Sequence, residues 1–422
     1  MRSFEIRNIG PISEAVFHLA RLNVFIGEQS SGKSTIAKII SFCLWLEKNV
    51  IQHQSVSHIN DGFIDKQLLD YHRMTTYFND QSFIEFKGPL LSIRIKGTRV
   101  DSVRLIGNLQ QGDVAKVAYV PSERNFVTIP NIASLTLDGD YMRDFLFEWL
   151  RICPHFKSKS PLKILNLGVR YHYDSTKGSR LLLDNGKEIA LKEASSGLQS
   201  LVPLMVSLVY HAEWIYSHTL EISYDKYQWL RHQLIQHIAE VNGAAGEGRP
   251  MRNVDDLIND ALNGEKPGGK YASDYLREIY EFALRIARPR STHLVIEEPE
   301  QNLYPTTQRD LMLMLISQLS AQAHCESVTI TTHSPYVLST LNVLMAASKL
   351  IQSKKQLPDG IDGIVLDMLL DIDDYAAFSV NSDGSVCDIV DRDLHMISGN
   401  NLDGVSDWVD DNISRIYQVL YG

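Results

Sequence analysis

Short apolar segments separated by turn residues dominate the first part of the chain. The pattern predicts strands at residues 4–9, 15–19 and 22–26, the first two joined through a Gly10-Pro11 turn. A helix is expected from about residue 33 to residue 47, where apolar residues recur with helical spacing. Because the third strand is apolar throughout and runs into a glycine, these segments predict a strand–loop–helix unit.

The alternation of strands and helices continues along the rest of the chain. We interpret the stretches at 83–108, 114–120, 162–173 and 180–191 as strands of a side sheet, with a hairpin at Asp184-Asn185-Gly186. The other predicted elements are a helical region at 197–241, a glycine-rich mobile insertion or lid loop at 242–270, helices at 271–287, 306–323 and 335–350, strands at 292–296 and 327–332, and a hairpin around Ser382-Asp383-Gly384.

Composition narrows the class of protein. The chain has 422 residues, of which 44% are hydrophobic and 22% charged, and this balance excludes a disordered or fibrous protein. Its formal net charge of −10 gives no global field that would attract nucleic acid, although a local basic groove stays open. Four cysteines lie far apart and read as reduced thiols of a cytoplasmic protein. The longest apolar stretch, 201–210, is too short to cross a bilayer, so no membrane partner is expected.

A phosphate-binding motif follows the third predicted strand. The string GEQSSGKS fits G-x-x-x-x-G-K-[ST] without a mismatch, and its glycines allow a tight turn whose N–H groups face phosphate oxygens. Lys33 is expected on the β- and γ-phosphates and Ser34 on Mg²⁺. A chance match is the alternative, but the position between a strand and a helix favours a real site. The predicted nucleotide-binding residues are Gly27, Glu28, Gln29, Ser30, Ser31, Gly32, Lys33, Ser34 and Thr35.

An apolar strand ends in carboxylates at Glu297-Glu298-Pro299-Glu300. The tip of such a strand can deliver one carboxylate, Glu297, toward Mg²⁺ and the next, Glu298, toward an attacking water. The alternative is a solvated acidic loop that caps the helix beginning near Thr306. The phosphate motif in the same chain favours the catalytic interpretation, with Glu297 at a place where aspartate is usual.

Two further strand ends carry candidate residues. A serine–glycine turn leads into a helix and is either a second anion site or an ordinary helix N-cap. Its candidate residues are Ser195, Ser196, Gly197 and Gln199. His333 ends another apolar strand, from which an imidazole can reach a γ-phosphate or the attacking water, although a lone histidine is more often structural.

Taken in order, GEQSSGKS, ASSGLQS, LVIEEPE and TTHS resemble the Walker A, signature, Walker B and H-loop motifs of ABC-type ATPases. The opening at residues 8–12 is similar to that of the RecF, SMC and OLD branch of these enzymes. The strings EEPEQNLYP and YVPSER are similar to the compact ATPases of bacterial anti-phage systems, such as the ATPase subunit of Septu-type pairs.

The resemblance implies a fold and a division of the chain. The expected fold is α/β: an ABC-ATPase-like P-loop core with a mostly parallel sheet, an N-terminal antiparallel side sheet and a helical insertion subdomain. The chain is expected to form a single head over residues 1–422. Its parts are the P-loop lobe with the side sheet (1–191), the signature turn and helical insertion (192–290), the Walker B and H-loop part (291–350) and a C-terminal hairpin and helix (351–422).

The resemblance also implies roles for the residues. ATP and Mg²⁺ bind at the Walker A loop, with Ser34 and Glu297 supporting the metal. Lys33, Glu298 and His333 are the catalytic residues, Glu298 activating water and His333 sensing the γ-phosphate. The signature turn from Ser195 to Gln199 contacts the nucleotide of a second subunit, so a homo-oligomer with composite sites is expected.

The sequence departs from the family pattern in places. No Q-loop glutamine is evident, and Gln110 and Gln111 lie only in a plausible position. Long heptad segments are absent. Asp371, Asp373 and Asp374 read as a solvated turn rather than a Toprim nuclease, so any nuclease would be a separate chain.

The leading hypothesis is an ATP-driven oligomeric switch that controls a partner effector, a nuclease or toxin, in phage defence. One alternative is a RecF-like DNA repair or recombination ATPase that uses a basic cluster at Arg285, Arg288 and Arg290. Others are a P-loop kinase of a small molecule and a scaffold that binds ATP without turnover.

Overall fold

The computed structural model describes residues 2–109, 112–130, 132, 137–245, 253–264, 271, 273–321, 324–353, 369–398 and 412–413. The Q-loop candidates Gln110 and Gln111 lie outside the described residues, as do residues 354–368, 399–411 and 414–422 of the segment 351–422 that was predicted to form a C-terminal hairpin and helix. None of the helices in the described part of the chain is long and apolar enough to cross a membrane.

The centre of the molecule is a mostly parallel sheet in which the described strands have the order β15-β14-β3-β13-β12-β7. All neighbours in it are parallel except the hairpin between β14 and β15. The carboxyl ends of β3, β13 and β12 therefore lie side by side at one edge of the sheet. The strands are β3 (Leu22–Ile26), β7 (Ala115–Val120), β12 (Ser291–Glu297), β13 (Cys325–Thr332), β14 (Tyr375–Val380) and β15 (Val386–Asp388).

Helices cover both faces of this sheet because its central strands are apolar on both sides. Phe25 and Val295 pack on one face with α1, while their neighbours Val24 and Ile296 pack on the other with α4, α9 and α10. Helix α1 continues to His53 rather than ending near residue 47, since Val50 also lies in the core. The helices of the chain outside the helical insertion are α1 (Lys33–His53), α2 (Asp61–Ile64), α3 (Tyr141–Ile152), α4 (Ser196–Val209), α9 (Pro305–Ala321) and α10 (Pro335–Gln352).

The predicted antiparallel side sheet is confirmed, but it holds fewer of the predicted strands than expected. Its described strands have the order β2-β1-β4-β5-β6, whereas segment 114–120 became β7, which pairs in parallel with β12 at the edge of the core. The segments at 162–173 and 180–191 form a separate antiparallel sheet around the predicted Asp184-Asn185-Gly186 hairpin. The strands are β1 (Arg2–Ile9), β2 (Ile12–Leu19), β4 (Phe83–Lys87), β5 (Leu91–Lys96), β6 (Arg99–Leu105), β8 (Leu162–Lys163), β9 (Val169–Asp174), β10 (Gly178–Leu183) and β11 (Glu188–Ala190).

A helical subdomain with its own apolar core interrupts the core in sequence. The prediction of a loop over 242–270 was wrong in its middle, where α7 begins after the capping residue Asn253. Apolar residues recur there with helical spacing and are buried against α6 and α8. Residues 246–252 and 265–270 lie outside the described part. The helices are α5 (Ile215–Ser217), α6 (Tyr224–Ala245), α7 (Val254–Asn263) and α8 (Asp274–Ala287).

The C-terminal hairpin predicted around Ser382-Asp383-Gly384 joins β14 to β15, as expected. It is followed by a short antiparallel pair, β16 (Val390–Asp391) and β17 (Met396–Ile397). The chain thus has the predicted mixed α/β fold, with a parallel core sheet, an antiparallel side sheet and a helical insertion.

Candidate functional site

The loop between β3 and α1 has the backbone of a phosphate-binding turn. Gly32 has φ +107° and Ser30 has φ +63°, so both lie in the left-handed region, which costs little only for glycine. A Cβ on Gly27 would collide with the carbonyl of Val380 on the neighbouring strand β14. The loop therefore needs its two glycines for the turn and for close packing, and α1 begins directly after it with unpaired N–H groups.

Lys33 folds back over this loop. Its Nζ donates to the carbonyl oxygens of Gly27 at 2.9 Å and Glu28 at 2.6 Å. Burial lowers the pKa of Lys33 to about 8, against the opposing field of the nearby carboxylates. The amine is thus a buried cation held by neutral acceptors, and a phosphate oxygen would be a stronger partner for it.

Ser34 and Glu297 meet across the sheet, although they lie far apart in sequence. Ser34 Oγ donates to Glu297 Oε2 at 3.0 Å, and Glu297 is only 3% exposed at the end of β12. Burial raises the pKa of Glu297. A hydroxyl and a carboxylate side by side are hard oxygen ligands of the kind that Mg²⁺ takes beside a phosphate, so the residues present fit this metal.

The other oxygen of Glu297 accepts a hydrogen bond from the hydroxyl of Tyr119, which ends near the carboxyl end of β7. Both oxygens of this carboxylate are therefore held in place by protein donors. Sequence reasoning did not single out Tyr119, even though it begins the YVPSER string. The only signal in the sequence was a tyrosine near the end of a predicted strand. Its hydrogen-bond partner could not be predicted, because that contact depends on β7 pairing with β12 in the fold.

Glu298 and His333 come together at the ends of β12 and β13. His333 Nε2 lies 3.3 Å from Glu298 Oε1, and the Glu298 N–H donates to the carbonyl of Thr331 at 2.9 Å. The hydrogen bond from His333 lowers the pKa of Glu298, so this carboxylate is ionised near neutral pH. Glu298 also has φ +43°, a strained backbone that often marks functional residues.

Glu300 supports this pair from behind. Its Oε1 accepts from Thr332 Oγ1 at 2.8 Å and from the His333 N–H at 2.7 Å. The acidic string is consequently divided among three tasks: Glu297 faces Ser34, Glu298 faces His333, and Glu300 fixes the strand end that carries His333.

The serine–glycine turn starts α4, as predicted. Ser195 is its N-cap and accepts from the Leu198 N–H at 3.4 Å, while the side chains of Ser195 and Ser196 are exposed. Gln199 holds the turn together, donating to the carbonyls of Lys192 at 3.1 Å and Ala194 at 2.8 Å. Across the described residues, no hydrogen bond or ion pair links this turn to the phosphate loop of its own chain.

Arg124, the last residue of YVPSER, joins this turn's helix to the acidic strand end. The side chain has no exposed surface and donates to carbonyls of both elements. Burial lowers its pKa to about 10. The acceptors are the carbonyls of Ser200 at 3.0 Å, Pro121 at 3.3 Å, Glu297 at 2.8 Å, Glu298 at 2.8 Å and Pro299 at 3.4 Å.

The basic cluster proposed for DNA does not form a surface patch. Arg288 is buried and donates to the carbonyls of Leu262 and Ile215, each at 2.6 Å. Its guanidinium group is therefore held by carbonyls of α7 and α5 and is not available to a phosphate backbone. The aspartates at 371–374 form a one-turn 3₁₀ segment with polar, largely exposed side chains, in agreement with the predicted solvated turn.

No protein-family model and no curated protein matches the chain. Matching solved structures include an SMC head domain from Thermotoga maritima, which is 10% identical in sequence. The match covers 80% of this chain and 90% of the SMC chain, with a TM-score of 0.36. A RecF recombination mediator structure is 10% identical, covering 92% and 97%, at a TM-score of 0.28. A dimeric bacterial ABC transporter cassette is 9% identical, covering 91% and 96%, at a TM-score of 0.25. All three TM-scores are below 0.5, so function has to be inferred from the site itself.

Proposed function

We propose that the chain is an ABC-type ATPase that binds ATP with Mg²⁺ and hydrolyses it to ADP and phosphate. The observation that supports this most strongly is the meeting of Ser34, Glu297, Glu298 and His333 beside the phosphate loop. They come from three separate places in the sequence, and the parallel sheet brings them to one edge. The neighbouring Lys33 supplies a buried cation at the same edge.

Binding begins with the phosphate loop. The N–H groups of the loop and of the first turn of α1 bind the phosphates, and Lys33 leaves the carbonyls of Gly27 and Glu28 for the β- and γ-phosphate oxygens. Ser34 and Glu297 would hold Mg²⁺, which neutralises charge on the phosphates during transfer. The two donors to Glu297 keep its carboxylate aimed at this position.

Glu298 orients the attacking water in the proposed reaction. Its pKa is held low by His333, so it accepts a hydrogen bond from water as a carboxylate and aligns the oxygen with the γ-phosphorus. His333 contacts Glu298 at 3.3 Å and would detect the γ-phosphate directly. Because Glu298 follows β12 and His333 follows β13, loss of the γ-phosphate would change contacts at the ends of both strands.

We further propose that two copies complete each other's sites. The exposed hydroxyls of Ser195 and Ser196 stand at a helix start, where a second copy can place its triphosphate. ATP would then join the copies, and hydrolysis would release them. In this proposal the chain is divided into a P-loop lobe (1–191), a middle part that carries the signature turn (192–290) and a Walker B part (291–350).

The output of this switch is proposed to be control of a separate nuclease or toxin in anti-phage defence. Support for this comes from the resemblance of EEPEQNLYP and YVPSER to ATPases of such systems. A DNA-clamping role is less well supported because Arg288 is buried. Salt-dependent binding of duplex DNA to the isolated protein would favour that role instead.

The decisive experiment compares wild type with Glu298→Gln and Lys33→Ala. We expect Glu298→Gln to bind ATP normally, to lose roughly a hundredfold or more in turnover, and to accumulate as an ATP-loaded oligomer. Lys33→Ala should lose ATP binding itself. Nucleotide binding, phosphate release and light-scattering mass report the three properties. Equal turnover in all three proteins would refute the assigned roles, and a monomer that phosphorylates a small acceptor would identify a kinase.

A further inference from the structure

A cavity lies away from the phosphate loop, between α1, α3 and the edge strand β7. Its volume is about 420 Å³, and residues 116–120 of β7 form part of its lining. Aromatic side chains from both helices form much of its wall. The aromatic residues lining it are Phe42, Trp45, Tyr71, Tyr119, Tyr141, Phe145 and Phe147.

The side chains that line the cavity carry more positive than negative charge, with Lys48, Lys116 and Arg151 against Asp144 and Glu148. One carboxylate, Glu148, accepts from Lys116 at 2.8 Å, Arg151 at 2.8 Å and His211 at 3.1 Å. Burial opposes ionisation of Glu148, but Lys116 and then His211 hold its pKa well below the usual range. The second acidic group that lines the cavity, Asp144, accepts a hydrogen bond from a tyrosine.

Lys48 lines the same cavity but takes no part in the ion pairs around Glu148. Across the described part of the chain, its amine has neither a hydrogen-bond nor an ion-pair partner. Burial, and after it the charge of Lys116, lowers the pKa of Lys48 to about 8, so the amine is still mostly protonated at pH 7. A half-buried, unpaired ammonium group inside an aromatic cavity is costly unless an anion binds beside it.

We propose that this cavity is a binding site for a small aromatic anion: a flat ring against the aromatic wall and one carboxylate, sulfonate or phosphate on Lys48. The volume is sufficient for a ligand of one or two fused rings. The ring would gain stacking contacts, and the anion would neutralise the excess charge left by Lys48, Lys116 and Arg151 over Glu148 and Asp144.

The ligand would also act on the catalytic edge, a consequence that rests on the proposed function. Tyr119 lines the cavity, and its hydroxyl donates to Glu297. A ring packed against Tyr119 changes the position of that hydroxyl and thus the carboxylate that supports the metal. The site is therefore regulatory.

Binding is tested by calorimetry with 2-naphthoate on the full chain, with neutral 2-naphthol as the matched probe. We expect wild type to bind 2-naphthoate more tightly than 2-naphthol. Lys48→Met should weaken 2-naphthoate binding by about tenfold or more, while Lys48→Arg and the exposed control Lys159→Met stay within about threefold of wild type. Lys33→Ala should bind 2-naphthoate like wild type, which separates this cavity from the phosphate loop.

The proposal is overturned if wild type does not bind 2-naphthoate, if Lys48→Met binds it as well as wild type does, or if Lys48→Arg loses binding as fully as Lys48→Met. Regulation is tested by ATP turnover with and without 2-naphthoate. The ratio of the two rates should differ from one in wild type and return toward one in Tyr119→Phe. If 2-naphthoate changes the turnover of wild type and of Tyr119→Phe by the same ratio, the proposed regulation through Tyr119 is contradicted. Absence of any ATP turnover contradicts the proposed function and leaves the binding result standing.

Discussion

Single side chains decide the chemistry of the proposed site, and Tyr119 is the one expected to affect metal binding there most directly. Its hydroxyl donates to one oxygen of Glu297 while Ser34 donates to the other. Burial already raises the pKa of Glu297. Loss of a donor to the ionised form must raise this pKa further and weaken the carboxylate as a ligand.

For Tyr119→Phe we therefore expect the Mg²⁺ concentration at half-maximal turnover to rise about three- to tenfold, with little change in maximal rate at saturating Mg²⁺. Titration of turnover with Mg²⁺ measures this. Tyr141→Phe is the matched control, since its ring packs on Tyr119 but its hydroxyl does not donate to Glu297. Identical Mg²⁺ curves for wild type and Tyr119→Phe would show that Tyr119 does not position the ligand.

Lys33 gives the site a pH dependence on the basic side. Its pKa is lowered to about 8, so the amine loses its proton as the pH rises through 8, and the neutral amine binds phosphate poorly. ATP affinity at pH 9 should be about tenfold weaker than at pH 7. Lys33→Arg, which stays charged, should show a much flatter profile. A similar decline in both proteins would mean that another group titrates.

The sequence was sufficient for those site residues that form contiguous motifs. GEQSSGKS, the acidic strand end and TTHS each predicted residues that the fold brings together, because parallel strands present their carboxyl ends at one edge. Tyr119, Arg124 and Glu300 were missed as site residues. All three lie in strings that the sequence analysis quoted, but their roles depend on partners that are distant in sequence or on main-chain carbonyls, and a string of residues does not show such partners.

At the scale of elements, Arg124 connects the start of α4 to the turn after β12. The Arg124 guanidinium group donates to carbonyls of both elements. Asn302 Nδ2 also donates to Ser200 Oγ at 3.0 Å. In the proposed switch, a movement of the serine–glycine turn would be transmitted through Arg124 to Glu298. This connection would allow the two ends of a composite site to act together.

Arg124→Met should lower the free energy of unfolding by about 3 kcal/mol, because several buried carbonyls lose their donor at once. Arg124→Lys should fall between this variant and wild type, since one ammonium cannot reach both elements as a planar fork does. Urea denaturation measures both. Arg309→Met, which removes a surface arginine paired with its neighbour Asp310, should stay close to wild type. If Arg124→Met is as stable as wild type, Arg124 does not hold α4 to the turn after β12.

Most elements of the fold followed from apolar periodicity, and the exceptions have physical reasons. The α7 segment was read as a loop because the glycines on either side of it hid a ten-residue helix, whose apolar face packs in the core of the helical subdomain with α6 and α8. Segment 114–120 was assigned to the side sheet because a half-buried edge strand has the same pattern in either sheet. Pairing partners are set by the tertiary fold and are not visible locally.

For the whole molecule, the central claim is that a functional site needs two copies. Each chain carries a phosphate loop with its carboxylates and, separately, an exposed serine turn. In the proposed closed two-fold arrangement, the turn of one copy would face the loop of the other. A variant with a defective loop and a variant with a defective turn should then compensate for each other in a mixed assembly.

Complementation measures this directly. Lys33→Ala and Ser195→Arg should each hydrolyse almost no ATP alone, with folding verified by circular dichroism. An equal mixture should recover about a quarter of wild-type turnover if the copies pair at random, and up to about a half if ATP joins only the mixed pairs, each of which contains one intact composite site. If the mixture stays at the average of the two inactive proteins while both fold and associate, the composite site does not exist and the account is contradicted.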